Sequence, residues 1–212
     1  MDNCSYFIEN KAIFGSFPSQ IQVLELENIG VRFFINLTFS SEPKLIPYTT
    51  NYVTISHLIP DKSIPSEHVP FCKFIYNLYI TLKFLGDGEK IYIHCKGGHG
   101  RSGIVVAMLL ALYHNISAEE ALEMTRRCHQ ERLVMRDKWR RIGAPQTAQQ
   151  RDFVCKMFEP IDMETPEFAW MRETTRDDFL ELLENTYFRK ITSKQHPEAA
   201  EFLMDLRNKI YL

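Results

Sequence analysis

The sequence predicts an α/β fold: a central, mostly parallel β-sheet flanked by helices, with a helical extension at the C-terminal end. Three observations carry this. Strand-like and helix-like segments alternate from about residue 5 to residue 158, the pattern of parallel strands joined by crossover helices. At 90–113 a strand-like run, a glycine-rich turn and a wholly apolar run follow one another directly. After residue 159 acidic residues outnumber basic ones, and two amphipathic helical patterns replace the alternation. Two units are therefore expected, 1–158 and a helical extension at 159–212.

Each element has a local reason. Residues 5–14 read as two short strands around a turn at Glu9-Asn10-Lys11, and Gly15 to Pro18 break the chain. Ser19 opens a helical pattern that closes near Gly30, a natural C-terminal stop. Val31 to Leu37 is a β-branched and aromatic run, hence a buried strand; Thr38 to Thr50 is polar, contains two prolines and reads as loop. Tyr52 to Leu58 is a further strand, and Ile59 to Pro65 a proline-bracketed loop containing Asp61. Ser66 and Glu67 begin a long amphipathic helix that runs through Phe84 and stops at Gly86-Asp87-Gly88. Beyond the apolar helix, Ser117 and Glu120 form a capping box that starts the next one. Residues 126–151 are strongly basic, and Pro145 to Phe158 reads as the last helix of the core. In the extension, 163–166 is the expected linker, and Asp177 to Phe188 and Pro197 to Ile210 are the two helices.

The bulk numbers narrow the function. The chain has 212 residues, 45% of them hydrophobic, and a formal net charge of −2, which gives no general attraction to nucleic acid or to an anionic membrane. No apolar run approaches the roughly 18 residues of a membrane span. The first ten residues have neither a basic start nor an apolar stretch, so no signal peptide is expected. The cysteines number five, an odd count with no C-x-x-C pair, which argues against a disulfide framework or a zinc ribbon and for a reducing compartment, cytoplasmic or nuclear.

The chemistry concentrates at residues 94–103, which read HCKGGHGRSG. A strand, a glycine-rich loop and a helix N-terminus aim several backbone N–H groups at one point, where an anion belongs. A nucleotide-binding loop would need glycine where Cys95 stands and lysine where Arg101 stands, so that reading fails. A metal site of His94, Cys95 and His99 lacks a second ligand cluster at a standard spacing. A purely structural cysteine leaves Gly97, Gly98 and Gly100 unexplained, since each costs backbone entropy. Covalent phosphate-ester hydrolysis survives. Thiolates are favoured at helix N-termini beside cations. Lys96, Gly97, Gly98, His99, Gly100 and Arg101 would cradle the phosphoryl oxygens, with Arg101 holding two of them through its planar fork. Ser102 is placed to hydrogen-bond the sulfur, and His94 to orient the loop.

This stretch resembles the H-C-x5-R-[ST]-G signature of the cysteine-dependent protein tyrosine phosphatases, especially their small dual-specificity branch, and its GG-x-GRS form is similar to that of kinase-associated phosphatases. A weaker similarity runs from about Ala12 to Phe158, through Gly30-Val31, Ile35-Asn36-Leu37 and Pro145-Gln146-Thr147. The resemblance implies a catalytic domain at 1–158, leaves 159–212 outside it, and requires no cofactor and no metal. It also implies that Asp61, upstream of Cys95 in a loop after a strand, is the general acid and then the base for water. Gln149 or Gln150 would position that water. No long aromatic recognition segment precedes the loop, so the expected substrate is a protein carrying phosphotyrosine or phosphoserine/threonine. A phosphoinositide, an RNA 5′-phosphate, or binding without turnover are the alternatives. Lys96 and His99 are expected to add positive charge at the pocket. No obligatory nucleic acid is expected, and the extension is the place where a protein partner could dock.

Overall fold

In this computed structural model, residues 2–161, 165–166, 176–187 and 197–211 are described. β1 (Cys4–Ile8) and β2 (Ala12–Gly15) form an antiparallel hairpin. Its turn is taken by Asn10 at φ 58°, a left-handed conformation that asparagine tolerates. Ser19 caps α1 (Gln20–Asn28) in a capping box with Gln22. β3 (Val31–Asn36), β4 (Val53–Ser56), α2 (His68–Phe84) and β5 (Lys90–His94) follow as the sequence predicts.

The sheet order is β1-β2-β5-β3-β4, with every pair parallel except the hairpin. β5, the strand that leads into the glycine-rich loop, lies at the centre with all five residues buried. Register brings Gly15, His94 and Asn36 level with one another at the C-terminal ends of β2, β5 and β3. Ligand sites in parallel sheets form at that edge.

One face of the sheet is covered by α3 (Gly100–His114), buried along nearly its whole length and screened from solvent by α2, α4 (Ala118–Gln130) and α6 (Ala148–Phe158). On the other face α1 buries Val23 and Leu26 against Ile13, Phe34 and Tyr92. α4 begins at the predicted Ser117 capping box. α6 begins at Ala148 rather than Pro145, because Thr147 and Gln150 form a capping box of their own.

A helix the sequence analysis does not predict, α5 (Asp137–Ile142), lies between α4 and α6. None of its residues is buried, so it carries no apolar stripe for the sequence to display.

Packing continues past residue 158. β6 (Pro160–Ile161) pairs with β7 (Thr165–Pro166); Met163 and Glu164 of the expected linker lie outside the described residues. α7 (Arg176–Leu182) runs into a π-helical turn at Leu183–Tyr187, and α8 (Pro197–Tyr211) closes the chain. Phe179 stacks on Phe84, Tyr187 packs on Phe33 and bonds Thr81 through its hydroxyl at 2.8 Å, and Leu203 and Leu206 are buried in the same core. The two C-terminal helices thus spend their apolar faces on the α/β core. Among the described residues no helix is long and apolar enough to cross a membrane.

Candidate active site

The loop between β5 and α3 is fixed from both sides by backbone. The Leu37 amide donates to the His94 carbonyl at 3.0 Å, and the Phe17 amide donates to the Lys96 carbonyl at 3.2 Å. Gly98 sits at φ +71°, and a Cβ there would come within 2.3 Å of the Gly15 carbonyl carbon, so only glycine lets the loop rest on the end of β2. A Cβ at Gly100 would meet the Gln150 side chain at 2.8 Å.

Cys95 is 3% exposed and Arg101 1%. The Arg101 guanidinium is held from four directions. Nη1 donates to the Leu37 and Ile59 carbonyls at 3.4 and 3.2 Å and to Oε1 of Glu42; Nη2 donates to Glu42 Oε2 and to Asp61 Oδ1, both at 3.0 Å. Burial alone would raise the Glu42 carboxyl, but the Arg101 hydrogen bond and charge, helped by the Phe39 amide, outweigh it and hold the group below the usual carboxylate range. Burial likewise works against the Arg101 cation, and Glu42, Cys95 and Asp61 more than offset it. The result is a buried, permanently charged fork of fixed orientation, the geometry that grips two oxygens of a tetrahedral oxyanion. Asp61 reaches it from the proline-bracketed loop, as expected, with a side chain 55% exposed. Glu42, from the long polar loop after β3, is a site residue the sequence gives no sign of.

The other expected residues separate. His94 is fully buried, with Nε2 2.7 Å from the Tyr48 hydroxyl and its ring against Phe17, Tyr48 and Tyr92. Burial pushes it down to about 3, which keeps the ring neutral, and its Nδ1 is buried without a protein partner. The Ser102 hydroxyl is buried with no protein partner. Lys96 reaches the Pro43 carbonyl at 2.9 Å.

The charge expected at His99 is absent. Its Nδ1 lies 2.7 Å from His129 Nε2 on α4, and its ring stacks on Trp139 of α5 at 4.6 Å. Burial, then the Arg132 cation, pushes His99 down to about 4. Gln149 is exposed on α6, whereas Gln150 is fully buried under Gly100 and donates to the Ser63 carbonyl at 2.9 Å, tying the Asp61 loop to the glycine-rich loop. Of the two glutamines, Gln150 is therefore the one at the site. The residues weighed as metal ligands do not converge, since His94 turns to Tyr48 and His99 to His129. Among the described residues no group of three or more His, Cys, Asp or Glu side chains is arranged to hold a metal ion.

Comparison with known proteins places the chain in a family. Residues 2–154 match the family described as Swiss Army Knife protein, DSP-PTPase phosphatase domain. The chain belongs to this phosphatase family. A candidate tyrosine phosphatase, 067L, of Invertebrate iridescent virus 3 is 39% identical over 162 residues, covering 74% of this chain and 66% of the relative, so the chain spans a little under two thirds of that relative's length. In solved structures the fold is similar to that of kinase associated phosphatase (TM-score 0.52, 23% identity, 72% of this chain and 90% of that one). It is also similar to PTPMT1 in complex with PI(5)P (TM-score 0.52, 21% identity, 72% and 95%). At these identities the structural likeness is one of fold.

Proposed function

We propose that this protein hydrolyses phosphate monoesters on protein side chains, phosphotyrosine as well as phosphoserine and phosphothreonine, through a phosphocysteine intermediate. The observation that carries the reading is the convergence of Asp61 and Arg101: an acid from the loop after β4 lies 3.0 Å from the guanidinium that follows the cysteine loop. Cys95 attacks phosphorus as thiolate; the S–P bond forms as the P–O ester bond breaks, and Asp61 gives its proton to the departing oxygen. Water then attacks the phosphocysteine, Asp61 takes the proton, the S–P bond breaks and phosphate leaves with the thiolate restored. Arg101 and the loop amides hold the three non-bridging oxygens throughout, and the Ser102 hydroxyl donates to the leaving sulfur. An arriving phosphoryl oxygen competes with Asp61 for Nη2. Binding of substrate therefore turns the carboxyl from the arginine towards the leaving group.

The test is turnover of para-nitrophenyl phosphate, its block by vanadate, and acid-quenched trapping of phosphoenzyme. No turnover of any phosphomonoester and no trapped phosphoenzyme would overturn the reading. Asp61→Ala should cost about 10²- to 10³-fold on alkyl phosphates and far less on para-nitrophenyl phosphate, whose phenolate leaves without help. Equal losses on both would remove Asp61 from the acid role.

A phosphoinositide is the second reading, and the likeness of fold to PTPMT1 in complex with PI(5)P is what favours it. The neutral His99 leaves Lys96 and Arg101 as the cations of the loop, which weakens this reading for headgroups with several phosphates. Phosphopeptides and phosphoinositides compared on the same protein separate the two.

A further inference from the structure

The basic run at 126–151 divides once its side chains are placed. Arg126 and Arg127 pair with Glu123 at 2.8 and 3.0 Å. Arg132 is buried, lies over the Phe14 ring and donates to the Phe14 carbonyl. Arg140 donates to the Gln130 and Arg132 carbonyls at the end of α4, and Arg151 to the Pro145 carbonyl. These five cations have structural employment. Arg136, Lys138 and Arg141 are exposed, and among the described residues none of them has an acidic partner at ion-pair distance.

All three lie on α5 or at its N-cap. A six-residue helix with no buried residue contributes little to the core, and with its N-cap it carries four cations against one acid, Asp137. Its place is fixed by the Arg140 hydrogen bonds to the end of α4 and by the stack of Trp139 on His99, which sets α5 against the catalytic loop. Inside the loop His99 is neutral, the charge of Arg101 is matched by two carboxylates, and Lys96 is turned to the Pro43 carbonyl. The cations of α5 therefore stand as a further group of positive charge beside the loop, where a substrate would have to carry negative charge other than its phosphate.

We propose that α5 is a docking surface for acidic residues that flank the phosphorylated residue of a protein substrate. The proposal rests on the phosphatase reading above and specifies its substrate. An acidic peptide fits better than a membrane because the whole chain carries a net charge of −2. Beside the cations, Leu133 (80% exposed) and Val134 (63% exposed) offer only a small apolar contact, enough for one peptide side chain.

The experiment measures binding of two fluorescent phosphotyrosine peptides to the full chain carrying Cys95→Ser, one with acidic flanks and one with neutral flanks. The acidic peptide should bind about tenfold tighter at low salt, and this ratio should fall to within about twofold at high salt, where such contacts are screened. The ratio should fall equally in Arg136→Ala/Lys138→Ala/Arg141→Ala, whose folding is checked by thermal unfolding. Equal affinity for both peptides, or a preference that survives the triple substitution, would overturn the proposal. Charge-dependent binding to phosphatidylserine vesicles with no peptide preference would overturn it in favour of a membrane surface. Turnover of para-nitrophenyl phosphate by the unsubstituted protein is measured in parallel, so that failure of the phosphatase reading is seen separately.

Discussion

Serine in place of Cys95 should abolish turnover, lowering kcat by about 10⁴-fold or more, while vanadate or phosphate binding stays within a few-fold of the unsubstituted protein. The two side chains differ by one atom, and the oxygen is smaller than the sulfur it replaces, so the buried position accepts it without a clash. What changes is the proton. A thiol gives up its proton far more readily than a hydroxyl, which needs a neighbouring base to act as a nucleophile. The adjacent histidine cannot serve as that base. His94 is buried, engaged with the Tyr48 hydroxyl and unwilling to accept a proton, as its value of about 3 states. In the proposed mechanism oxyanion binding uses the loop backbone and Arg101, both of which the substitution leaves in place. Trp139, stacked on His99 of the same loop, offers a fluorescence signal for the binding half of the measurement. Residual turnover at a tenth of the original rate would take the nucleophile's role away from Cys95.

The parts of this arrangement that were legible in the sequence are those whose cause is local. The Ser19 and Ser117 helix starts, the buried run of β3, and the strand–loop–helix order around Cys95 each follow from neighbouring residues. Asp61 was singled out because the family resemblance expects an acid in a loop upstream of the cysteine, and in the structure it lies 3.0 Å from Arg101.

Glu42 was not legible because its role depends on a polar loop folding back across 59 residues of sequence, and nothing in residues 38–50 marks that closure. His99 loses its expected charge through burial against His129 and Trp139, from two other helices, and through the Arg132 cation, none of which its neighbours in sequence reveal. The choice between Gln149 and Gln150 depended on helical phase. One residue's difference rotates a side chain by about 100°, and Thr147 with Gln150 in the T-x-x-Q spacing of a capping box was the signal that would have fixed it.

The same buried histidines make folding sensitive to acid. Burial holds His94 and His129 near 3 and His99 near 4, with the charge of Arg132 adding to the effect on the latter two and that of Arg140 on His129. Their ordinary value is 6.5, so in the unfolded chain each ring takes up a proton well before the folded protein will. The sign follows from that difference. More protons are bound by the unfolded state between roughly pH 6.5 and 4, and stability is complete above that window and drains away as pH falls through it. Each ring should cost about 2 kcal/mol on going from pH 7 to pH 5. The three together should cost roughly 5 to 6 kcal/mol, a large share of the 5–15 kcal/mol that holds a typical domain together. Glu42, held below the usual range by Arg101, adds a loss of the same sign only at lower pH, because a depressed carboxylate stabilises until it is protonated in the folded state. Urea unfolding at pH 7, 6 and 5 measures the slope. His129→Gln, which keeps a hydrogen-bonding group opposite His99 but does not titrate, should flatten it by about one ring's contribution. A midpoint that did not move between pH 7 and 5 would mean that these rings take up protons without leaving the fold, and the neutral His99–His129 brace under the catalytic loop would have to be abandoned.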